Sequence, residues 1–425
     1  YAGLIADHLK LAGRAAEAVD YLLQAGDRAC RQYANQEAIT YFRRALGLLE
    51  DAPPGASREK VETDLYERLG GVLELTGQYD EARVSYQNAL ASIPADDRTR
   101  QGYLHRMMGD TWNSQHRPDE AIQAYDRAEA ALGQDPAEVP LEWWREWVAI
   151  QGAQMSARYF QGKWQEMLEL ADRVRPVVER YGTPRQRSGF LSTLVNANNT
   201  RDRFRVSEET VAYCQANLEA ARQSGSLARL AWARFGLGFD LLWHGQIDRA
   251  KEQLQTALEM AIRMGDMLLH MRCLTYLAVA CRKCGQVEEA EVYALSALEA
   301  AKAVENVDYI VAARGNLAWV AWRKAELGEA LGSGRAALEL GQSLSVHPFR
   351  WLHLTPLIAV ALADERISDA VEYTRGMLEP TQQRLPDTLE TTLGAAIEMW
   401  EKGELEATCT YFDRAIELAQ EMGYL

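Results

Sequence analysis

The sequence GQIDRAKEQLQTALEMAIRMGD (residues 245–266) is followed, 40 positions later, by GQVEEAEVYALSALEAAKAVEN (residues 285–306). Each copy opens with a Gly-Gln pair, places an alanine five residues later, and continues with apolar residues at helical spacing. Neither copy keeps a residue that is typical of a catalytic site. A pattern repeated in this way is a packing pattern, and it predicts an array of similar units.

The array extends over most of the chain. A small or compact residue stands five places after each predicted turn and serves as a marker of the repeat. Successive markers lie 38 to 46 residues apart, with four intervals of 40. Such regularity is typical of a repeat array and not of a globular enzyme. The markers are Ala82, Ala121, Met167, Thr210, Ala250, Ala290, Ala330, Ala370 and Thr408.

Each unit predicts two helices joined by a turn. In residues 226–265 the turn HGQID follows a first apolar stripe, and Gly245 suits the left-handed residue that ends a helix. One hairpin cannot bury its apolar stripe alone, whereas stacked copies share a core. The sequence therefore predicts an all-α, right-handed superhelical solenoid of about ten hairpins. The second stripe of this unit consists of Leu254, Ala257, Leu258, Ala261 and Ile262.

Charge and composition exclude several classes of protein. The net charge of −15 disfavours nucleic acid and anionic membranes as partners. No apolar run reaches the roughly 20 residues that a membrane span needs. Six cysteines within helical patterns fit a reducing cytoplasm, which is the predicted location. Because the chain begins without methionine and ends in an unfinished helical pattern, we expect it to belong to a longer protein.

The units resemble tetratricopeptide repeats, whose first helix carries a Leu-Gly pair and whose second helix carries alanines around an aromatic residue. RLGGVLELTGQYDEARVSYQNAL (residues 68–90) matches with Leu69, Gly70, Ala82, Tyr86 and Ala89. The stretch at 106–132 repeats the match. The resemblance covers residues 20–425 and implies a recognition fold.

The long units resemble those of MalT-like sensor domains, since 40 residues exceed the usual 34 or so. The opening, residues 6–50, is similar to the stretch that joins the ATPase portion to the helical array in STAND-type signalling ATPases. This resemblance implies a helical linker or first hairpins at 1–50 and the array at 51–425, with irregular longer units at about 133–205. No G-x-x-x-x-G-K-[ST] motif occurs, so the chain itself predicts no ATPase activity.

Catalytic and metal-binding patterns are weak. The seven histidines are scattered, and none stands in a metal-binding spacing such as H-E-x-x-H. Cys273, Cys281 and Cys284 share a helix face and could bind zinc, but a structural zinc site takes four ligands, so packing of small residues is the plainer interpretation. The sequence predicts no enzyme and no cofactor.

Aromatic and basic residues on the first helices are candidates for a binding groove. Rings beside cations can hold a peptide, a helix or a ring-shaped ligand. The alternative is that these side chains fill wide gaps between helices. The candidates are Trp232, Phe235, Phe239, Trp243, Arg282, Lys283, Trp319, Trp322 and Arg323.

A second candidate is a basic run. Residues 173–205 hold eight arginines and two acidic residues, a surplus of six positive charges in an acidic chain. Arg201 and Arg203 are the predicted contacts for an anionic ligand or an acidic partner. The alternative is that these arginines bridge the acidic array to itself or to another domain.

Three functional hypotheses follow. The first is a sensor arm of a STAND-like regulator, which binds a protein segment or small effector and acts on an ATPase domain outside this chain. The full-length protein could then form homo-oligomers. The second is a free-standing peptide-binding scaffold, and the third is an enzyme or metalloprotein.

Overall fold

The computed structural model describes residues 2–425 except 33, 51–55, 116, 134–139, 304, 343, 345 and 346. Within this described part, all regular secondary structure is α-helical, in 21 helices without a strand. None of the described helices combines the length and the apolar character that crossing a bilayer requires.

The chain divides into two compact units, residues 1–186 and 187–425. The first contains α1 (Ala2–Leu11), α2 (Ala15–Arg31), α3 (Asn35–Glu50), α4 (Ala56–Leu75), α5 (Tyr79–Ala91), α6 (Arg98–Ser114), α7 (Pro118–Leu132), α8 (Leu141–Phe160) and α9 (Trp164–Tyr181). α10 (Pro184–Arg201) begins just before the division. The second contains α11 (Glu208–Gln223), α12 (Leu227–Trp243), α13 (Ile247–Met264), α14 (Met267–Lys283), α15 (Val287–Ala303), α16 (Val307–Arg323), α17 (Leu327–Gly341), α18 (Trp351–Ala363), α19 (Ile367–Met377), α20 (Asp387–Glu401) and α21 (Leu405–Glu421).

Within each unit most helices that are neighbours in sequence pack on one another. In the second unit each helix from α11 onward packs on the next, and the first helices of successive hairpins, α12, α14, α16 and α18, also contact one another. Hairpins stacked in this order form an α-solenoid, which confirms the predicted fold class. The side lined by α12, α14, α16 and α18 is called the inner face of the second unit below.

The markers of the repeat are packing residues. Ala250, Ala290 and Ala330 are completely buried, because each lies in the first turn of a second helix where the two helices of a hairpin meet. Gly245 takes the predicted left-handed conformation with φ +90°. Ala325 takes the same conformation with φ +61°, so the turn persists without glycine.

Glycines in the first helices make room for a ring of the second helix. A Cβ at Gly70 would lie 2.5 Å from the Tyr86 ring, and one at Gly109 would lie 2.3 Å from the Tyr125 ring. Both tyrosines are completely buried. The Leu-Gly and Tyr positions that resemble tetratricopeptide repeats are thus two sides of one contact.

One residue predicted to be buried is exposed, and two predicted regions include residues outside the described part of the chain. Ile262 is 62% exposed, because it stands about 80° around the helix from Leu254 and falls off the edge of the buried stripe. The expected boundary between 50 and 51 adjoins residues 51–55, which lie outside the described residues, and the division into 1–50 and 51–425 stays a prediction. Residues 134–139, within the predicted irregular region, also lie outside them.

Candidate functional site

The aromatic face of α12 is covered by the chain itself. Phe235 and Phe239 are buried, and Trp232 and Trp243 are partly buried. Phe349, from the connection between α17 and α18, stacks on Trp243 with ring centroids 5.4 Å apart. Phe349 also meets Phe239, so a ligand would reach the faces of these two rings only if Phe349 moved, whereas Trp232 is partly exposed and donates from Nε1 to Asp266 at 3.0 Å. The role of all four residues in binding stays a prediction.

A second ring reaches the same cluster from a turn after α10. Phe204 has φ +60° and follows Arg203 with φ +48°. Two consecutive non-glycine residues in the left-handed region are costly, and packing must over-determine them. The Phe204 ring provides such packing, because it lies 4.8 Å from Phe349 and 6.1 Å from Phe239, centroid to centroid.

The end of α14 carries two neighbouring cations on the inner face. Arg282 is 1% exposed and donates from Nη1 to the Leu352 carbonyl at 2.9 Å and from Nη2 to Thr355 Oγ1 at 2.8 Å. Its guanidinium carbon lies 4.7 Å from the Trp351 ring and 5.5 Å from the Trp319 ring. Burial lowers the pKa of Arg282.

Lys283 is the second cation. Its Nζ lies 3.5 Å from the Tyr424 ring centroid and 5.5 Å from that of Trp351, and it donates to the Met422 carbonyl at 3.3 Å. Burial, with Arg282 beside it, lowers the pKa of Lys283 to about 7. Among the described residues, no side-chain carboxylate pairs with either cation. A buried charge without an opposite charge is expensive, and its remaining partners are neutral oxygens and rings.

The last described turn of the chain lies against these cations. Arg282 and Thr355 both donate to the Tyr424 carbonyl, Thr355 Oγ1 at 2.9 Å. The Tyr424 ring meets Trp351 edge to face at 4.6 Å, and Leu425 is completely buried. Burial raises the pKa of the Tyr424 hydroxyl to about 12. Residues 422–425 thus present a ring, an aliphatic side chain and main-chain carbonyls to the inner face, and are called the terminal segment below.

Several buried polar groups near the cations lack a hydrogen-bond partner within the described protein. Asn316 is completely buried with neither amide atom paired, and Trp319, one turn further along α16, leaves Nε1 unpaired. Thr275 on α14 is 1% exposed, and its hydroxyl is unpaired as well. Unpaired buried polar groups are rare and each costs about 1–3 kcal/mol, so these three contribute an unfavourable free energy to α14 and α16.

The remaining predicted aromatic-face residues lie at the end of α16. Trp322 is partly buried against Ala330 and Val360, on the side that faces α17 and α18. Arg323 is exposed, and its guanidinium carbon lies 5.5 Å from the Trp319 ring. The structure therefore brings Arg282, Lys283 and Trp319 together at one place, whereas Trp322 points into a neighbouring packing contact.

The predicted arginine site has a cavity of its own. Arg201 and Arg203 line a space of about 480 Å³ together with Arg205 and Arg384. Arg203 Nε donates to the Gln382 carbonyl at 2.8 Å, so it joins parts of the chain 179 residues apart. The two acidic lining residues are Asp202 and Glu390.

Most charge in this cavity is already paired. Arg201 pairs with Asp202 at 2.7 Å, and both Arg205 and Arg384 pair with Asp387, at 3.1 Å and 2.9 Å. These exposed pairs contribute little stability. Part of the predicted intramolecular bridging is therefore present. The four arginines face three carboxylates, those of Asp202, Asp387 and Glu390, so one positive charge remains that could attract an anion.

In the first unit, α6, α7 and α8 hold a polar network that the sequence analysis missed. Arg106 pairs with Glu146 at 2.7 Å and with Asp110 at 3.0 Å, and the Tyr125 hydroxyl donates to Asp110 at 2.8 Å. Burial, opposed by Arg106, raises the pKa of Asp110 and of Glu146. The only sequence signal was an arginine and an aspartate four residues apart on α6, which is common on any helix surface.

The three cysteines considered as zinc ligands do not form a site. Cys273 and Cys281 are completely buried, whereas Cys284 is exposed. Burial raises the pKa of Cys273 to about 12, which opposes the thiolate that a metal needs. In the described part of the chain, no three side chains of the metal-binding types lie close enough to hold an ion.

The fold and this inner face define a solenoid of tetratricopeptide-like hairpins. No family model and no curated protein matches the sequence. Among solved structures, the apo form of RapI superposes with a TM-score of 0.59 at 12% identity over 84% of this chain and 98% of that chain. A Rap protein complexed with Competence and Sporulation Factor has a TM-score of 0.52 at 13% identity, over 96% of this chain and 98% of that one.

A third similar structure is a STAND protein with a tetratricopeptide repeat sensor from Pyrococcus horikoshii. Its TM-score is 0.52 at 15% identity, and the match covers 88% of this chain and 55% of that chain. At such identities the likeness shows the fold alone. It supports tetratricopeptide-like repeats in this chain, and the more specific MalT-like resemblance belongs to the proposal below.

Proposed function

We propose that the chain is a non-catalytic recognition module that binds a protein segment on the inner face of its second unit. The observation that carries this proposal is the Arg282–Lys283 pair, a buried and a partly buried cation that hold main-chain carbonyls and rings and have no carboxylate partner among the described residues. Main-chain carbonyls are common to every peptide, and rings over cations add affinity in a desolvated site.

The fold neighbours support the same reading by analogy. One similar structure is a Rap protein in complex with Competence and Sporulation Factor, and another is a STAND protein with a repeat sensor. Fold analogy alone does not define function, so the argument depends on the inner-face residues. A solenoid suits this role because a ligand that bridges several hairpins can change the equilibrium between their arrangements.

The finer proposal is a sensor arm of a cytoplasmic STAND-like regulator whose ATPase domain lies outside this chain, in a full-length protein able to form homo-oligomers. It predicts that the coding sequence upstream of Tyr1 carries a G-x-x-x-x-G-K-[ST] motif. The alternative, a stand-alone peptide-binding scaffold, predicts a start codon near Tyr1 and peptide binding without a nucleotide-binding domain.

The binding proposal is tested with an immobilised library of pentapeptides and the labelled chain. We expect a subset of peptides to retain the intact chain and to lose it when Arg282→Met removes the charge at nearly constant volume. The matched control is Arg222→Met, which changes an exposed arginine on α11 paired with Glu219. Equal retention of the Arg282→Met and Arg222→Met variants would refute recognition at this face.

A further inference from the structure

We infer that the terminal segment, residues 422–425, is an internal competitor for the ligand of the Arg282–Lys283 site, and that its chemistry defines that ligand. The ligand would be a short peptide with an aromatic side chain followed by an aliphatic one, whose carbonyls face the two cations. This inference depends on the proposed function, since it names the ligand class and the regulation of the same site.

The contacts of the terminal segment are those a separate peptide could make. The Met422 and Tyr424 carbonyls accept from Lys283 and Arg282, and these hydrogen bonds require no particular side chain. Tyr424 supplies the ring between Lys283 and Trp351, and Leu425 supplies a completely buried aliphatic group. A peptide with the same order of groups would satisfy the same partners.

Tyr424 and Leu425 can leave the inner face without unfolding α21. The helix ends at Glu421, the amides of Met422 and Gly423 bond back to its last turn, and the amides of Tyr424 and Leu425 donate only to the Ala419 carbonyl, at 2.7 Å and 3.0 Å. Gly423 has φ +68°, and a Cβ there would lie 2.7 Å from Lys283 Cα. Rotation at Gly423, which tolerates backbone conformations that other residues avoid, would therefore redirect the chain that carries the ring and the aliphatic group.

Departure of the segment has a compensating gain. In the closed arrangement the Lys283 ammonium is desolvated, which is why its pKa is lowered to about 7. Release would let water reach both cations, so part of the lost contact energy returns as solvation. This gain brings the free energies of the closed and the released arrangements closer together, so a competing ligand can displace the segment.

The size of the competition follows from effective concentration. A segment tethered next to its site acts at about 1 mM. If the same peptide in solution binds the open site with a dissociation constant of about 0.1 mM, only about one site in eleven is open. Release of the terminal segment should then strengthen binding of the free peptide about tenfold.

The experiment uses the full chain and a fluorescein-labelled peptide with the sequence EMGYL, that of residues 421–425. Two variants release the segment by different means: Tyr424→Gly with Leu425→Gly removes its side chains, and Gly423→Ala keeps them but collides with Lys283. The matched control, Tyr411→Ala, removes a 40% exposed tyrosine from the same helix. Fluorescence anisotropy measures affinity, and circular dichroism measures helix content.

We expect both release variants to bind the peptide about tenfold more tightly than the intact chain and the Tyr411→Ala control. Arg282→Met added to either release variant should abolish this binding. Equal affinity of the intact and released forms, binding that survives Arg282→Met, or loss of helix content in both release variants would overturn the inference.

The outcomes also separate this inference from the proposed function. If library pentapeptides bind in an Arg282-dependent manner but EMGYL does not bind the released forms, the terminal segment is not a model of the ligand and only the inference fails. If no peptide binds either the intact or the released forms, the proposed function fails with it.

Discussion

Replacement of Lys283 by methionine should change how stability depends on pH. Lys283→Met keeps the side-chain volume and removes the charge, so it isolates the free energy of burying an ammonium group beside Arg282. The native pKa of Lys283 is about 7, against 10.5 for an unperturbed lysine. Between these values the unfolded chain binds a proton that the native chain has released.

The sign follows from proton linkage. Because the unfolded state holds more protons between pH 7 and 10.5, the free energy of unfolding of the wild-type chain rises with pH over this window. One proton contributes about 1.4 kcal/mol per pH unit. Since the lysine is half titrated at pH 7 and almost neutral at pH 9 in the native state, the gain between these pH values is about 2 kcal/mol.

Urea unfolding, followed by circular dichroism at pH 7 and pH 9, measures the effect. We expect Lys283→Met to be more stable than wild type at pH 7 and this advantage to shrink by about 2 kcal/mol at pH 9. Lys302→Met, which removes an exposed lysine from α15, is the control and should leave the pH dependence unchanged. An advantage of Lys283→Met that is the same at both pH values would refute a desolvated ammonium at this position.

Three further substitutions or reactions have defined outcomes. Burial raises the pKa of Asp240 to about 6, so Asp240→Asn should stabilise the chain by about 2 kcal/mol at pH 7. Asn199 donates to Asp240 at 2.7 Å, and rotation of the Asn199 amide would preserve a hydrogen bond to the new asparagine. Thermal unfolding should show that the gain in stability vanishes as the pH falls from 6 to 4. Gly238→Ala places a Cβ 3.1 Å from a carbonyl oxygen and should lower stability by about 1–3 kcal/mol, whereas Gly236→Ala in the same helix meets nothing within 4 Å and should raise it by up to about 1 kcal/mol. Iodoacetamide should modify the exposed Cys284 long before the buried thiols of the native chain, as followed by mass spectrometry; equal rates would contradict the packing of α14.

The repeat could be predicted because its contacts are local in sequence. A marker such as Ala250 meets the preceding helix of its own hairpin, and most packed helix pairs are consecutive or alternate helices along the chain. Periodicity therefore contains the information that determines the stacking order. Composition and resemblance then allowed the all-α class and the tetratricopeptide-like character to be stated without coordinates.

The candidate site could be predicted only in part, because its decisive contacts are distant in sequence. Arg282, Lys283 and Trp319 were selected from the helical projection, and the structure places them together. The residues that cover them were not selected: Tyr424 lies 142 positions from Arg282, and Phe349 lies in a connection where the repeat has no pattern. Periodicity says which side of a helix faces inward, but not which irregular segment fills the space there.

The chemistry of the two units suggests a division of roles. In the first unit the partly buried Arg106 has two carboxylates within 3.0 Å, and the pairing is complete without any other molecule. In the second unit Arg282 is more deeply buried but, among the described residues, contacts only neutral oxygens and rings, with the unpaired amide of Asn316 on the next inner helix. A structural arginine is normally stabilised by an acid, because an isolated buried charge costs several kcal/mol. The second unit keeps a buried arginine despite this unfavourable free energy. Such an arginine is expected on a face where neutral groups of the chain itself can be replaced by neutral groups of a bound peptide.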